Sequence, residues 1–134
     1  MIYFLDTNIC IYLLNDKFHN IREKIGSISI SDIKIPSIVA AELIYGAYKS
    51  TKREYNVARF EKFLSAYKII PFDRSMIYIY VEIRTELERS GNIIGWNDLL
   101  IAAIVIAHDG VLVTNNTDEF SRIRQLVLED WTKN

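Results

Sequence analysis

The chain has 134 residues, half of them apolar and a quarter charged, a balance that fits one globular domain with its own core and excludes a disordered chain. A formal charge of −1 excludes a bulk positive field that would draw nucleic acid to the whole surface, so any nucleic-acid site must be a local patch. Cys10 is the single cysteine, which excludes an internal disulfide and a cysteine zinc site and suits a reducing cytosol.

Ile2 to Leu5 is an apolar run of strand length, closed at once by Asp6 and preceded by no basic segment. Helical periodicity follows over 7–15 and 18–29, then a short strand at 33–35, helices over 37–49 and 52–67, and a strand at 68–71. Helices over 74–90 and 97–108 come next, then strands at 111–114 and 126–128. Pro36-Ser37 marks a helix start, and Gly91-Asn92 and Gly110 mark helix ends. Strands alternating with helices predict right-handed βαβ crossovers and an α/β fold with about five parallel strands, covered on both faces. No linker, repeat or low-complexity tract interrupts residues 1–134, so one domain is expected over that span. No apolar run reaches the roughly 18 residues of a membrane helix, and the expectation is a soluble cytoplasmic protein.

In open parallel sheets, ligands bind beyond the carboxyl ends of the strands. Asp6-Thr7-Asn8 follows the first strand and Thr114-Asn115-Asn116 the fourth, which places both polar clusters on one sheet edge. Four acids stand where packing does not ask for them: Asp6 at a strand end, Glu42 inside an apolar helix, Asp98 opening an apolar helix, and Glu119 in the segment after the fourth strand. Each has an ordinary explanation. Asp6 and Asp98 suit helix starts, Glu42 can face solvent, and Glu119 beside Asp118, Arg122 and Arg124 can join a surface ion-pair cluster. If they converge, however, like charges about 4 Å apart repel by roughly 4 kcal/mol at an effective dielectric of 20, and the cluster must bind protons or a cation. An oxygen-only donor set favours Mg²⁺ or Mn²⁺ over zinc, because His19 and His108 have no second histidine or cysteine beside them. Such a metal suits phosphoryl transfer.

Taken together, Met1 to Cys10, Ala41-Glu42-Leu43-Ile44-Tyr45-Gly46, Ile94 to Ala103 with Trp96-Asn97-Asp98, Leu112 to Asn116, Glu119-Phe120 and Leu128-Glu129-Asp130-Trp131 closely resemble the VapC toxins of the PIN-domain superfamily, from end to end. The resemblance implies a central parallel sheet in the order 3-2-1-4-5, a homodimer, and a Mg²⁺- or Mn²⁺-dependent endoribonuclease. It further implies the toxin half of a type II toxin–antitoxin pair, inhibiting translation, with a VapB-like antitoxin as partner, operator DNA bound only through that antitoxin, and tRNA as a reasonable substrate. Carried over, Asp6, Glu42 and Asp98 match the family's metal-site acids, with Asp6 and Asp98 as direct ligands and Glu42 acting through water. Thr7, Asn8, Thr114 and Asn116 would hold the carboxylates in place. Many PIN domains have aspartate where this chain has Asn116, so Glu119 is taken as the fourth acid, with Asp118 a competitor.

Two other readings use the same residues. A catalytically silent PIN module would bind antitoxin or RNA only, and intact Asp6, Glu42 and Asp98 argue against it. A receiver-like domain would need a lysine just after the fifth strand, and none occurs before Lys133. Lys49, Lys52, Arg53, Arg59 and Lys62 can track an RNA backbone, although Glu54 and Glu61 among them favour an ordinary solvated face. Tyr45, Tyr48, Tyr55, Tyr78 and Tyr80 suit core or dimer contacts, or stacking on bases.

Overall fold

The computed structural model describes residues 1–133; Asn134, the last residue of the expected domain, lies outside them. Five parallel strands, β1 (Tyr3–Leu5), β2 (Ile33–Pro36), β3 (Lys68–Ile70), β4 (Val111–Val113) and β5 (Val127–Glu129), form one sheet in the order 3-2-1-4-5. This is the order that the resemblance implies. The first strand lies at the centre, with Tyr3 registered against Ile33 on one side and Leu5 against Val113 on the other. That register puts the residues after β1 beside those after β4 on the carboxyl edge.

Helices α1 (Thr7–Leu14), α2 (His19–Ser27), α3 (Ser37–Lys49), α4 (Arg53–Leu64), α5 (Ile77–Ser90) and α6 (Trp96–Ala107) lie within a few residues of the predicted spans. Two elements are absent from the sequence reading: a 3-10 turn at Ile30–Asp32 and the short helix α7 (Thr117–Phe120). Both are too short to show a helical period. The fifth strand begins one residue later than expected. No helix is long and apolar enough to cross a membrane, among the described residues.

The core explains why α6 is apolar nearly all round. Ile101, Ala102, Ala103, Ile104 and Val105 are buried between the sheet, which contributes Phe4, Leu5, Leu112 and Val113, and the covering residues Ile83 and Leu87 of α5. Each large aliphatic side chain enclosed there contributes about 1.5–3 kcal/mol. The start of α6 is therefore fixed relative to the sheet edge, which matters because Asp98 sits in its first turn.

Gly91 ends α5 in the left-handed region at φ 73°, as its position predicts. Gly110 does not do the same for α6. The left-handed residue there is Asp109, at φ 51°, and Gly110 only donates its N–H to Val105 O at 3.0 Å, closing the turn. Gly110 is needed for a packing reason instead: a Cβ would lie 2.7 Å from Cε2 of Phe4 and 3.1 Å from the Ile2 carbonyl. Gly110→Ala is expected to lower stability by about 1–3 kcal/mol, through displacement of the Phe4 ring. An unchanged urea midpoint would contradict this.

Candidate active site at the carboxyl edge of the sheet

Asp6 leaves β1 and caps α1, and every part of it is held. Its Oδ1 accepts the Thr7 N–H at 2.8 Å, its Oδ2 accepts the Thr114 hydroxyl at 2.7 Å, and its own N–H donates to Val113 O at 3.0 Å. Thr114 is fully buried and in turn accepts the Asn116 backbone N–H at 3.0 Å. Two loops that follow neighbouring strands are thus tied together through one carboxylate. Burial raises the proton affinity of Asp6 above the ordinary carboxylate value, and the bonds from Thr114 and Thr7 partly offset it.

Glu42 comes from α3 and is half-buried, with its proton affinity raised by burial and then by the charge on Asp6. Asp98 comes from the first turn of α6 and shows a large effect. Burial, then the Asp6 charge, then a hydrogen bond and charge from Glu119, then the Glu42 charge, raise its pKa from 3.8 to about 7. Asp6, Glu42 and Glu119 therefore all act on Asp98, although the four acids come from the start of α1 and from α3, α6 and α7 and span more than a hundred positions in sequence. None of them forms an ion pair with lysine or arginine among the described residues. The cluster is a concentration of negative charge with no protein cation to balance it.

A cleft of about 340 Å³ opens here, lined by Asp6, Thr7, Asn8, Glu42, Asp98, Asn115 and Asn116. A larger depression of about 810 Å³ near Arg74 and Tyr78 holds no such cluster, so the chemistry, not the size, selects the smaller one. Glu119 is not among the lining residues. It meets Asp98 and accepts Asn116 Nδ2 at 3.3 Å. Asp118 is exposed.

The supporting residues act differently from the sequence expectation in three details. Asn8 lines the cleft but is exposed and makes no side-chain hydrogen bond to the acids among the described residues. Thr7 reaches Asp6 with its backbone N–H, and its Oγ1 is buried without a partner among the described residues. The Asn116 side chain serves Glu119, and only its backbone reaches Thr114. Sequence reasoning did not single out Asn115, which lines the cleft, donates to the Tyr12 hydroxyl at 3.3 Å, and leaves Oδ1 buried and unpaired. Its place in the Thr-Asn-Asn run was the available signal. Cys10 is fully buried beneath Asp6, and burial followed by the Asp6 charge holds its thiol protonated, which removes it as a nucleophile.

The donor set fits a hard divalent cation: oxygen only, negative and unbalanced among the described residues, with two buried oxygens, Thr7 Oγ1 and Asn115 Oδ1, that ordered water would satisfy. No three acid, histidine or cysteine side chains are grouped closely enough to hold a metal ion together among the described residues. Mg²⁺ characteristically takes one or two carboxylates and keeps several waters, so an open arrangement is compatible with it.

A five-stranded parallel sheet with an acidic cleft at its carboxyl edge defines a class of hydrolytic and binding domains rather than one protein. The PIN domain model matches residues 3–126. Ribonuclease VapC2 of Rickettsia felis is 50% identical, covering 99% of this chain and 100% of its own length. The tRNA(fMet)-specific endonuclease VapC of Salmonella typhimurium is 40% identical, covering 96% and 97%. Among solved structures, VapBC2 from Rickettsia felis bound to a DNA fragment from their promoter superposes with a TM-score of 0.89 at 46% identity, over 98% of this chain and 99% of that one. The chain belongs to the PIN-domain family, within its VapC branch.

Proposed function

We propose that this protein is a Mg²⁺- or Mn²⁺-dependent endoribonuclease, the toxin of a VapBC-type toxin–antitoxin module, acting on RNA in the cytoplasm and so inhibiting translation. The observation that carries the reading is the cluster of Asp6, Glu42, Asp98 and Glu119, paired with no lysine or arginine among the described residues and crowded enough to raise Asp98 to about 7. The names of the relatives support RNA as substrate. The Salmonella relative's name makes initiator tRNA the first candidate. The Rickettsia VapBC2 structure, bound to a promoter DNA fragment, supports a VapB-like antitoxin partner, and the family resemblance adds operator DNA bound only through that antitoxin and a homodimer.

Asp6 and Asp98 would hold the metal, Glu42 would act through water, and Glu119 would complete the acidic set. A bound hard cation supplies charge neutralisation at the phosphate and makes water more acidic. The protein's own contribution is positional. Thr114 and the Thr7 amide fix the Asp6 carboxylate, and the packed start of α6 fixes Asp98. Glu42 would ligate through water or orient the attacking water, and its raised proton affinity suits it to take that water's proton.

Purified, antitoxin-free protein is expected to make discrete cuts in tRNA with Mg²⁺ or Mn²⁺, and none in EDTA. The same cuts with EDTA present would overturn the metal dependence. Absence of cutting across metals and RNAs, from folded protein, would favour the silent binding module.

A further inference from the structure

In the run Thr114-Asn115-Asn116 the outer two residues serve acids and the middle one does not. Thr114 donates to Asp6, and the Asn116 side chain donates to Glu119. Asn115 lines the cleft between them, yet its Nδ2 donates at 3.3 Å to the Tyr12 hydroxyl, and its Oδ1 is enclosed and unpaired. Among the described residues only two buried side-chain atoms lack a partner, this one and Thr7 Oγ1, and both belong to residues that line this one cleft. An enclosed acceptor without a donor lowers stability, so packing alone gives no reason to keep an amide here.

The far side of the contact is also held against a local cost. Tyr12 meets the Phe18 ring edge-on, with centroids 4.9 Å apart and planes at 65°. Phe18 keeps that place at φ 61°, in the left-handed region that a bulky side chain rarely enters. The Lys17 N–H donates to the Tyr12 carbonyl at 2.8 Å and closes the same turn. A strained residue thus braces the tyrosine whose hydroxyl fixes the Asn115 amide, and strain of this kind gathers where the position of a side chain matters to function.

An amide oxygen accepts and cannot donate. Phosphodiester oxygens also only accept, so a bound phosphate would not satisfy it. Bulk solvent does not reach the atom, whereas a molecule lodged in the cleft lies against its residue. The donor that suits an acidic, oxygen-lined cleft is water kept by a hard cation, which retains several waters and makes them more acidic.

We propose that Asn115 is a positioning residue for the cation of this site, its Oδ1 accepting from a water that the cation keeps and the Tyr12 hydroxyl setting the angle of the amide. The inference rests on the metal-dependent reading above and adds a neutral member to the acidic set.

The test is Mn²⁺ binding by the antitoxin-free protein without RNA, read from the electron paramagnetic resonance signal of unbound Mn²⁺, beside urea unfolding without metal. Asn115→Leu removes both polar atoms at similar volume, and residue 115 is not in the left-handed region, so its backbone accepts leucine. Its metal-free urea midpoint should equal or exceed the parent's, while Mn²⁺ affinity falls about 10- to 100-fold. Asn115→Asp keeps the acceptor and adds a like charge, so its metal-free midpoint should fall while Mn²⁺ binds at least as tightly as to the parent. A residue that only packs would move stability and affinity together. Tyr12→Phe, which removes the hydroxyl alone, should weaken Mn²⁺ binding about 2- to 10-fold. Unchanged Mn²⁺ affinity in Asn115→Leu overturns the proposal and leaves the metal reading standing. An equal loss in Asn115→Asp also overturns it, because the amide NH₂ would then carry the role, and parental affinity in Tyr12→Phe removes the hydroxyl from it. A parent that binds no Mn²⁺ removes the metal reading and the proposal with it. If the variants behave as expected but the parent cuts no RNA, the nuclease reading fails and the proposal stands.

Discussion

Asp98→Asn is expected to lose RNA cleavage by more than about a hundred-fold, beyond the 10- to 100-fold typical of residues that only orient a ligand. The same protein should become more stable above neutral pH. The two effects have one cause: the carboxyl is held at about 7 against an ordinary 3.8 by burial and by three neighbouring carboxylates. Between those values the folded chain retains a proton that the unfolded chain releases. Stability therefore falls as pH rises through that window, and the penalty is complete above about pH 7. An amide at this position carries no charge and escapes the penalty. Because the side chain is half-exposed, solvent screening reduces the gain to on the order of 1 kcal/mol, or about 3–5 °C in Tm at pH 8. At pH 5 the variant and the parent should melt closer together. Mg²⁺ should stabilise the parent at pH 8 and have little effect on the variant. Melting curves at both pH values, with and without Mg²⁺, check this, and a variant less stable than its parent at pH 8 would contradict it. Asp6→Asn should be as inactive but is a poorer probe, since Asp6 uses both oxygens as acceptors and asparagine offers only one.

Thr114→Val is the second large effect, and it acts at a distance from the reacting phosphate. Valine is nearly isosteric and suits the end of a strand, so the change removes only the hydroxyl. That hydroxyl donates to Asp6 Oδ2 and accepts the Asn116 N–H, and it is fully enclosed. Its loss leaves a backbone donor unpaired and takes a partner from a buried carboxylate, a cost of about 2–3 kcal/mol. Asp6 should also bind its proton more tightly, because the Thr114 bond is the main influence holding it down. Cleavage should fall about 10- to 100-fold. The pH at which activity rises should shift upward, which simple unfolding would not produce. An unfolding free energy from urea titration within about 0.5 kcal/mol of the parent would count against the two-loop tie.

Helix positions were readable because α3, α5 and α6 are long uninterrupted stretches, and the central strands β1 and β4 because they are continuous apolar runs, whereas the edge strands β3 and β5 are partly exposed. The short helix α7 was not readable, since four residues cannot display a period, and with it the environment of Glu119 was lost. Gly110 shows a different limit. Its position after a helix suggested a backbone role, while the structure uses its missing side chain to admit the ring of Phe4, more than a hundred residues earlier in the chain. Local sequence rules describe a residue's own backbone and carry no information on which distant side chain will press against it.

The same division applies to the site. That Asp6 and Thr114 share an edge follows from the sequence alone, because parallel strands oblige both loops to emerge at their carboxyl ends. The all-oxygen donor set and the residue types are equally properties of the sequence. The partner of each polar atom is a tertiary matter: the Thr114 hydroxyl for Asp6, the Asn116 side chain for Glu119, and the Glu119 carboxyl against Asp98. Asn115 belongs with these, since only packing decides that its oxygen is buried and unpaired. Hydrogen-bond partners and proton affinities depend on distances of a few ångströms between elements remote in sequence, and those distances exist only once the core around α6 has closed.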